Sequence, residues 1–191
     1  MVFSSSGEMN IYNVSVSGTG LPTVIINTPN GAQIPPKTAD WLEGTYIKII
    51  NADGTTDYEG KEDNIRGRGN STWSYPKKPY AVKLDSKASI LGMPKHKRWV
   101  LLANWMDRTM LRNHVAFTMA KKTCLAWTPR GEFVEVVLNG KHVGNYYLCE
   151  QIKVDENRVN IHEMEDTDTE GEAITGGYLM ELDTYFDEVN K

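Results

Sequence analysis

The chain is poor in cysteine and has no long apolar run, and each shortage excludes a class of protein. It contains two cysteines, Cys124 and Cys149, among 191 residues, which is too few for a disulfide framework. We expect two buried thiols, although a secreted protein would allow them to pair. No apolar run approaches the ~20 residues of a membrane-spanning helix. The N-terminus lacks the basic and apolar regions of a signal peptide, and residues 1–20 are predicted to be a flexible lead.

The chain also lacks an excess of positive charge, since its formal net charge is −4. A mildly acidic chain does not indicate non-specific nucleic-acid binding. The four histidines are not spaced as metal ligands, and the acidic run at residues 166–172 lacks the EF-hand pattern. We therefore interpret this run as a solvated loop and predict no metal site.

Alternating and buried apolar segments dominate what is present. Strands are predicted at residues 21–28, 44–51, 80–84 and 98–104, a hairpin at residues 132–152 with Asn-Gly at its turn, and a last strand within residues 169–183. No internal repeat and no regular alternation of strands and helices is seen. The pattern predicts an α+β fold with a mostly antiparallel sheet and one main helix.

That helix is predicted over residues 108–122. Asp107 precedes it as a candidate N-cap, and two lysines suit its C-terminal end. Leu111, Val115 and Met119 recur at four-residue spacing, which is typical of an apolar helix face. The predicted helix contains no Asp or Glu.

One stretch, residues 65–84, gathers cations and backbone donors in an otherwise acidic chain. Gly67, Gly69 and Ser71 allow backbone amides to approach an anion closely. The arginine before each of the two glycines can bind phosphate or carboxylate through two points. Lys83 follows on a strand. A glycine-rich turn before a strand lysine is the broad arrangement of a kinase phosphate site, although the third glycine of G-x-G-x-x-G is missing. The alternative is a glycine bulge in a hairpin with solvated cations.

Several blocks of sequence resemble, in the same order, those of the spore coat protein H (CotH) kinase family. They read RGRGNSTW, PKKPYAVKL, LGMPKHKRWVLLANWMDRTMLRN, VEVVLNGKHVGNYYLCEQI and GGYLMELD, and they cover about residues 20 to 183. Members of that family are atypical protein kinases of spore coats and of secreted or surface proteins. The resemblance implies ATP and a divalent metal, Mg²⁺, as cofactors. It also implies the N-terminal lobe of an atypical kinase as the fold, and transfer of the γ-phosphate to a protein hydroxyl.

The resemblance also implies roles for individual residues. Lys83 is similar to the nucleotide lysine, and Lys78 is a second candidate. The turn before them resembles part of a phosphate-facing surface; its candidate residues are Arg66, Arg68, Gly69, Asn70 and Ser71. Because the predicted helix is free of carboxylates, a partner for Lys83 has to come from elsewhere. Glu150 and Glu181, both on predicted strands, are the candidates, and the alternative is that they face solvent.

The sequence departs from the kinase pattern in one further respect. Phosphoryl transfer needs acidic residues that hold Mg²⁺ and orient the hydroxyl, and neither H-R-D nor D-F-G is present. The family places its metal-binding aspartates downstream, in a C-terminal lobe. We therefore expect residues 21–191 to be a single CotH-like N-lobe domain cut off before that lobe, inactive alone and without catalytic residues of its own.

Two other functions remain open from the sequence. A non-catalytic module of the coat or cell envelope could bind glycan or a partner through Trp73, Tyr75, Trp99 and Trp105, although aromatics beside prolines usually cover a core edge. A kinase-like scaffold that has lost catalysis is the other possibility. By analogy with the family, the partner is a protein substrate of the coat or envelope, with no nucleic acid, and the location is extracellular or in the cell envelope.

Overall fold

The computed structural model describes residues 19–180, which divide into two compact units. The first unit is Met1–Gln151 and the second is Ile152–Lys191. Residues 1–18, most of the lead predicted over residues 1–20, and the end of the chain from residue 181 lie outside the described residues.

From residue 19 to residue 151, the first unit is built from seven strands and one α-helix. The strands are β1 (Thr23–Asn27), β2 (Leu42–Ile50), β3 (Thr56–Gly67), β4 (Tyr80–Ile90), β5 (Met93–Leu102), β6 (Gly131–Leu138) and β7 (Lys141–Glu150), and the helix is α1 (Arg112–Ala120). Short 3₁₀ turns lie at Pro29–Gly31 and Ser71–Ser74. Each predicted strand of this unit is present, and several are longer than their apolar runs.

The strands close into a barrel in the order β1-β2-β3-β4-β5-β7-β6. All neighbours are antiparallel except β1 and β6, which pair in parallel from Thr23 opposite Glu135 to Ile26 opposite Leu138. The predicted α+β fold, and with it the likeness to a kinase N-terminal lobe, is therefore wrong. The sheet closes because β1 pairs with β6, which lies more than a hundred residues away in the sequence. No local pattern predicts that pairing.

Alternation along the strands divides the barrel into an inside and an outside. Tyr80, Val82 and Leu84 point into the core, where they join Trp99, which is 1% exposed. Lys83 lies between them on the outer face, as the period of two predicts. The interior is filled by side chains, as expected for a small barrel.

Helix α1 is shorter than predicted and packs with a different face. It covers the outside of β5, β6 and β7, where Phe117 contacts Tyr147 and the His114 ring lies 5.4 Å from that of Phe133. Its four-residue apolar series is exposed instead; this series is Leu111, Val115 and Met119. The helix begins late because residues 103–111 form an irregular loop that the periodicity did not reveal.

The Asn-Gly hairpin is confirmed. Asn139 and Gly140 join β6 to β7 with φ angles of 48° and 77°, the left-handed pair that a type I′ turn requires. The Asn139 side chain also accepts a hydrogen bond of 2.9 Å from the backbone amide of Thr28. The turn is thus tied to the segment that follows β1.

The second unit is mostly irregular between residues 152 and 180. A single bridge joins Val154 and Val159, and a 3₁₀ turn lies at Gly171–Ile174. The acidic run is largely exposed, as predicted, and Asp168 accepts a hydrogen bond of 2.9 Å from His162. Up to residue 180 the predicted last strand is absent.

The two cysteines differ in environment. Cys149 is buried, as expected, whereas Cys124 is exposed beyond the C-terminal end of α1, and they form no disulfide. Among the described residues, no helix has the length and apolar character to cross a bilayer.

Candidate functional site

Cations line the outer face of β3, β4 and β5 in successive rows. The strand register places Lys83 between Asn64 and Arg98, and Arg66 opposite Ala81. One step further along, the Arg68 amide donates to the Pro79 carbonyl at 3.1 Å. We call this surface the cationic face and define it by Arg66, Arg68, Lys83 and Arg98. Strand spacing puts Lys83 about 13 Å from Pro79, because four residues separate them.

The indole of Trp41 contacts two of these guanidinium groups. Trp41 lies 4.4 Å from Arg66 and 4.8 Å from Arg98, measured from each guanidinium carbon to the ring centroid. Burial, followed by the charge of Arg66, lowers the pKa of Arg98. Two like charges are thus kept close together, which favours binding of an anion between or beside them.

Lys83 is half-buried on this face, and among residues 19–180 no hydrogen bond or ion pair is found for its ammonium. The Glu150 carboxylate does not meet it. Glu150 lies opposite Trp99 and so on the inner face of the sheet, where it accepts hydrogen bonds of 2.8 to 2.9 Å from Arg130. The other candidate partner, Glu181, is outside the described residues. As far as residues 19–180 are concerned, the donors of Lys83 are open to a ligand.

A pocket of about 320 Å³ adjoins the cationic face at the end of the barrel. We call it the end pocket. Its polar lining includes Arg68, Lys77 and Arg112, and its apolar lining includes Tyr75 and Trp105. A concave site with apolar walls and a few polar groups is the usual form of a small-molecule site.

The far wall of the end pocket is the loop between β5 and α1. Asp107 fixes this loop: it accepts hydrogen bonds of 2.6 Å from the Thr109 hydroxyl and 2.8 Å from the Arg112 amide. These bonds hold the pKa of Asp107 below its usual range. Asn104 and Met110 have φ angles of 49° and 58°. Left-handed backbone at two non-glycine residues is costly and is often found at functional sites.

The near wall is the loop between β3 and β4, which carries the predicted glycine-rich turn. Gly69 has a φ of +85°, and a Cβ there would collide with the Thr72 hydroxyl. Asn70 accepts a hydrogen bond from the Lys37 ammonium, and the Ser71 carbonyl accepts one of 2.6 Å from Ser74. Asn70 and Ser71 are exposed. The turn therefore places Arg68 in the pocket, whereas its other polar groups bond locally.

The structure divides the predicted site residues into three places. Arg66 and Lys83 share the cationic face, and Arg68 joins that face to the end pocket. Lys78 points elsewhere on the barrel end, where its ammonium donates to the Trp73 carbonyl. Glu150 is inside the barrel with Arg130, away from the other candidates.

Sequence reasoning missed most of the remaining lining. Antiparallel pairing of the two predicted strands that contain them would place Arg98 opposite Lys83. No sequence pattern, however, identifies Trp41 as a contact of Arg98. Asp107 and Arg112 were considered only as the N-cap and part of the predicted helix, and Trp105 only as one of the aromatics of the glycan-binding alternative. No local pattern at residues 103–111 predicted the loop that brings them together.

Comparison with known proteins identifies one family. Residues 65–190, about two thirds of the chain, match a family model described as CotH kinase protein. Among curated proteins, no match to the chain was found. The matched region begins next to Arg66 and includes all four residues that define the cationic face.

Proposed function

Because this chain belongs to the CotH kinase protein family, we propose that it binds ATP for the phosphorylation of protein hydroxyls. The observation that carries the proposal is the cationic face and its continuity with the end pocket. ATP, when bound, supplies the γ-phosphoryl group. By the same family analogy, we propose a protein of the coat or cell envelope as the substrate, at an extracellular or envelope location.

The chain's own residues suit an elongated anionic ligand. Lys83 supplies a point charge with open donors, and Arg66 supplies a planar group that binds phosphate through two points. Arg68 lies where the face meets the pocket. Tyr75 and Trp105 line that pocket and suit a planar base. No ion pair joins Arg66, Arg68 or Lys83 to a carboxylate within residues 19–180, so their charge is available to the phosphates.

A magnesium site receives no such support from the part of the chain that the structure describes. There, no three His, Cys, Asp or Glu side chains come together as metal ligands. The proposal for this chain is therefore nucleotide binding, and it places no metal ligand on the described residues.

The glycan-binding alternative is less well supported. Of its four aromatic residues, Trp99 is buried in the core and donates a hydrogen bond of 3.0 Å to the His96 carbonyl. Trp73 is half-buried against Tyr80, with ring centroids 6.3 Å apart. A sugar platform needs exposed ring faces, and these two residues do not provide them.

Titration of ATP followed by tryptophan fluorescence tests the proposal, because Trp41 and Trp105 border the site. Losing a charge-assisted hydrogen bond costs about 1.5 to 3 kcal/mol, so Lys83→Met should weaken ATP binding about tenfold or more. Lys95→Met is the matched control: Lys95 is exposed on β5, outside the cationic face, and its loss should change binding less than twofold. Equal affinities for Lys83→Met and wild type would refute the proposal, as would glycan binding without nucleotide binding.

A further inference from the structure

The same end of the barrel carries a second cationic surface beside the end pocket. Two depressions of about 320 and 160 Å³ lie next to each other there. Both are lined by Lys78 and Tyr80, and the larger also contains Lys77 and Lys141. We call the pair the lysine groove. Because shared residues join the two depressions, they form one elongated surface.

Local contacts hold two of its lysines in place. The Lys77 ammonium donates to the Asn145 carbonyl and lies 4.4 Å from the Tyr146 ring centroid. The Lys78 ammonium donates to the Trp73 carbonyl and lies 5.3 Å from the Trp73 ring centroid. An ammonium has three donors, so each keeps N–H groups for a ligand. Fixed cations lose less conformational entropy on binding than mobile ones.

Of the residues that the structure describes, no Asp or Glu lines the two depressions. The nearby Glu135 side chain is engaged with His142, whose Nε2 lies 2.6 Å from its Oε2. Lys141, at the start of β7, is exposed, and no ion pair is found for it within the described residues. The groove therefore presents three ammonium groups with no acidic side chain in its lining.

We propose that the lysine groove binds an extended, acidic polypeptide segment through its carboxylates. The elongated shape of the lysine groove suits an extended chain better than a compact ion. Tyr80 and Tyr146 stack on each other, with centroids 6.1 Å apart, and are buried. Neither of these two rings presents an open face to a sugar. Trp105, which is 48% exposed and also lines the larger depression, is a ring that an acidic glycan could use, and the competition experiment below tests that outcome. The proposal does not depend on nucleotide binding, because Lys141 lies outside the cationic face and does not line the end pocket.

Fluorescence anisotropy with a labelled ten-residue peptide rich in Glu and Asp tests the groove. The wild-type protein should bind it and should not bind the same peptide with Gln and Asn in place of the acids. The double variant Lys78→Gln/Lys141→Gln should weaken binding at least tenfold. Lys95→Gln and Lys97→Gln together make the matched control, since they remove the same charge from exposed positions of β5, and they should change binding less than threefold.

Competitors identify the ligand chemistry. The unlabelled acidic peptide should displace the probe far more effectively than inorganic phosphate or polygalacturonate at equal charge. Equal weakening by the double variant and the control would overturn the proposal, as would phosphate or the glycan displacing the probe as effectively as the peptide at equal charge. Lys141→Gln should bind ATP like the wild type, so failure at the groove is distinguishable from failure at the cationic face.

Discussion

Neutralising Glu150 should destabilise the barrel strongly, because its buried carboxylate is paired with the Arg130 guanidinium. The side chain is 0% exposed, and Arg130, whose side chain is 35% exposed, donates to both of its oxygens. Removing one partner of a buried ion pair costs about 3 to 5 kcal/mol. Since Arg130 keeps some contact with water, we expect about 3 kcal/mol for Glu150→Gln. For a chain of this size that corresponds to a drop in Tm of roughly 6 to 12 °C.

Urea unfolding followed by far-UV circular dichroism measures this change. Glu43→Gln is the control, because Glu43 is exposed on β2 and should shift stability by at most about 0.5 kcal/mol. Lys83→Met should also leave stability nearly unchanged, since Lys83 does not pair with Glu150. A loss below about 1 kcal/mol for Glu150→Gln would refute the reasoning. A large loss of stability for Lys83→Met would also refute it, because it would indicate that Glu150 pairs with Lys83.

Two further predictions concern a buried acid and the thiols. Burial raises the pKa of Asp63, so the folded state binds its proton more tightly than the unfolded state. The stability of the wild type relative to Asp63→Asn should therefore decline as pH rises from about 4 through the pKa of Asp63 in the folded state. A difference in stability between the two proteins that stays constant from about pH 4 to 7 would contradict this. In the native protein, a thiol reagent should label Cys124 rapidly and Cys149 only after denaturant is added; rapid labelling of both would show that the barrel opens readily.

Local patterns predicted the hairpin and the barrel strands other than β3, whereas the last predicted strand is absent up to residue 180. Alternation assigned Tyr80, Val82 and Leu84 to one face and Lys83 to the other, and the structure confirms it. Asn139 and Gly140 specify their turn because few residues tolerate positive φ at two consecutive positions. These features depend on neighbouring residues, so one short window of sequence contains the information.

The helix shows where local patterns mislead. The four-residue apolar series predicted a packed face, yet Leu111 and Val115 are about half exposed, at 47% and 48%. Phe117 makes the contact instead, because the helix packs against an aromatic patch around Tyr147. Which face of a helix is buried depends on what lies beneath it, and that surface comes from distant strands.

The sequence alone determined most of the barrel strands, the inward and outward residues of β4, the hairpin turn and the family to which the chain is similar. It also concentrated cations at residues 65–84. Only the tertiary structure decided that the sheet closes through β1 and β6, that Arg98 and Trp41 join Arg66, and that Glu150 pairs with Arg130 rather than Lys83. The physical reason is range: strand alternation follows from adjacent peptide units, whereas barrel closure and side-chain partners depend on segments that meet only after the chain has folded.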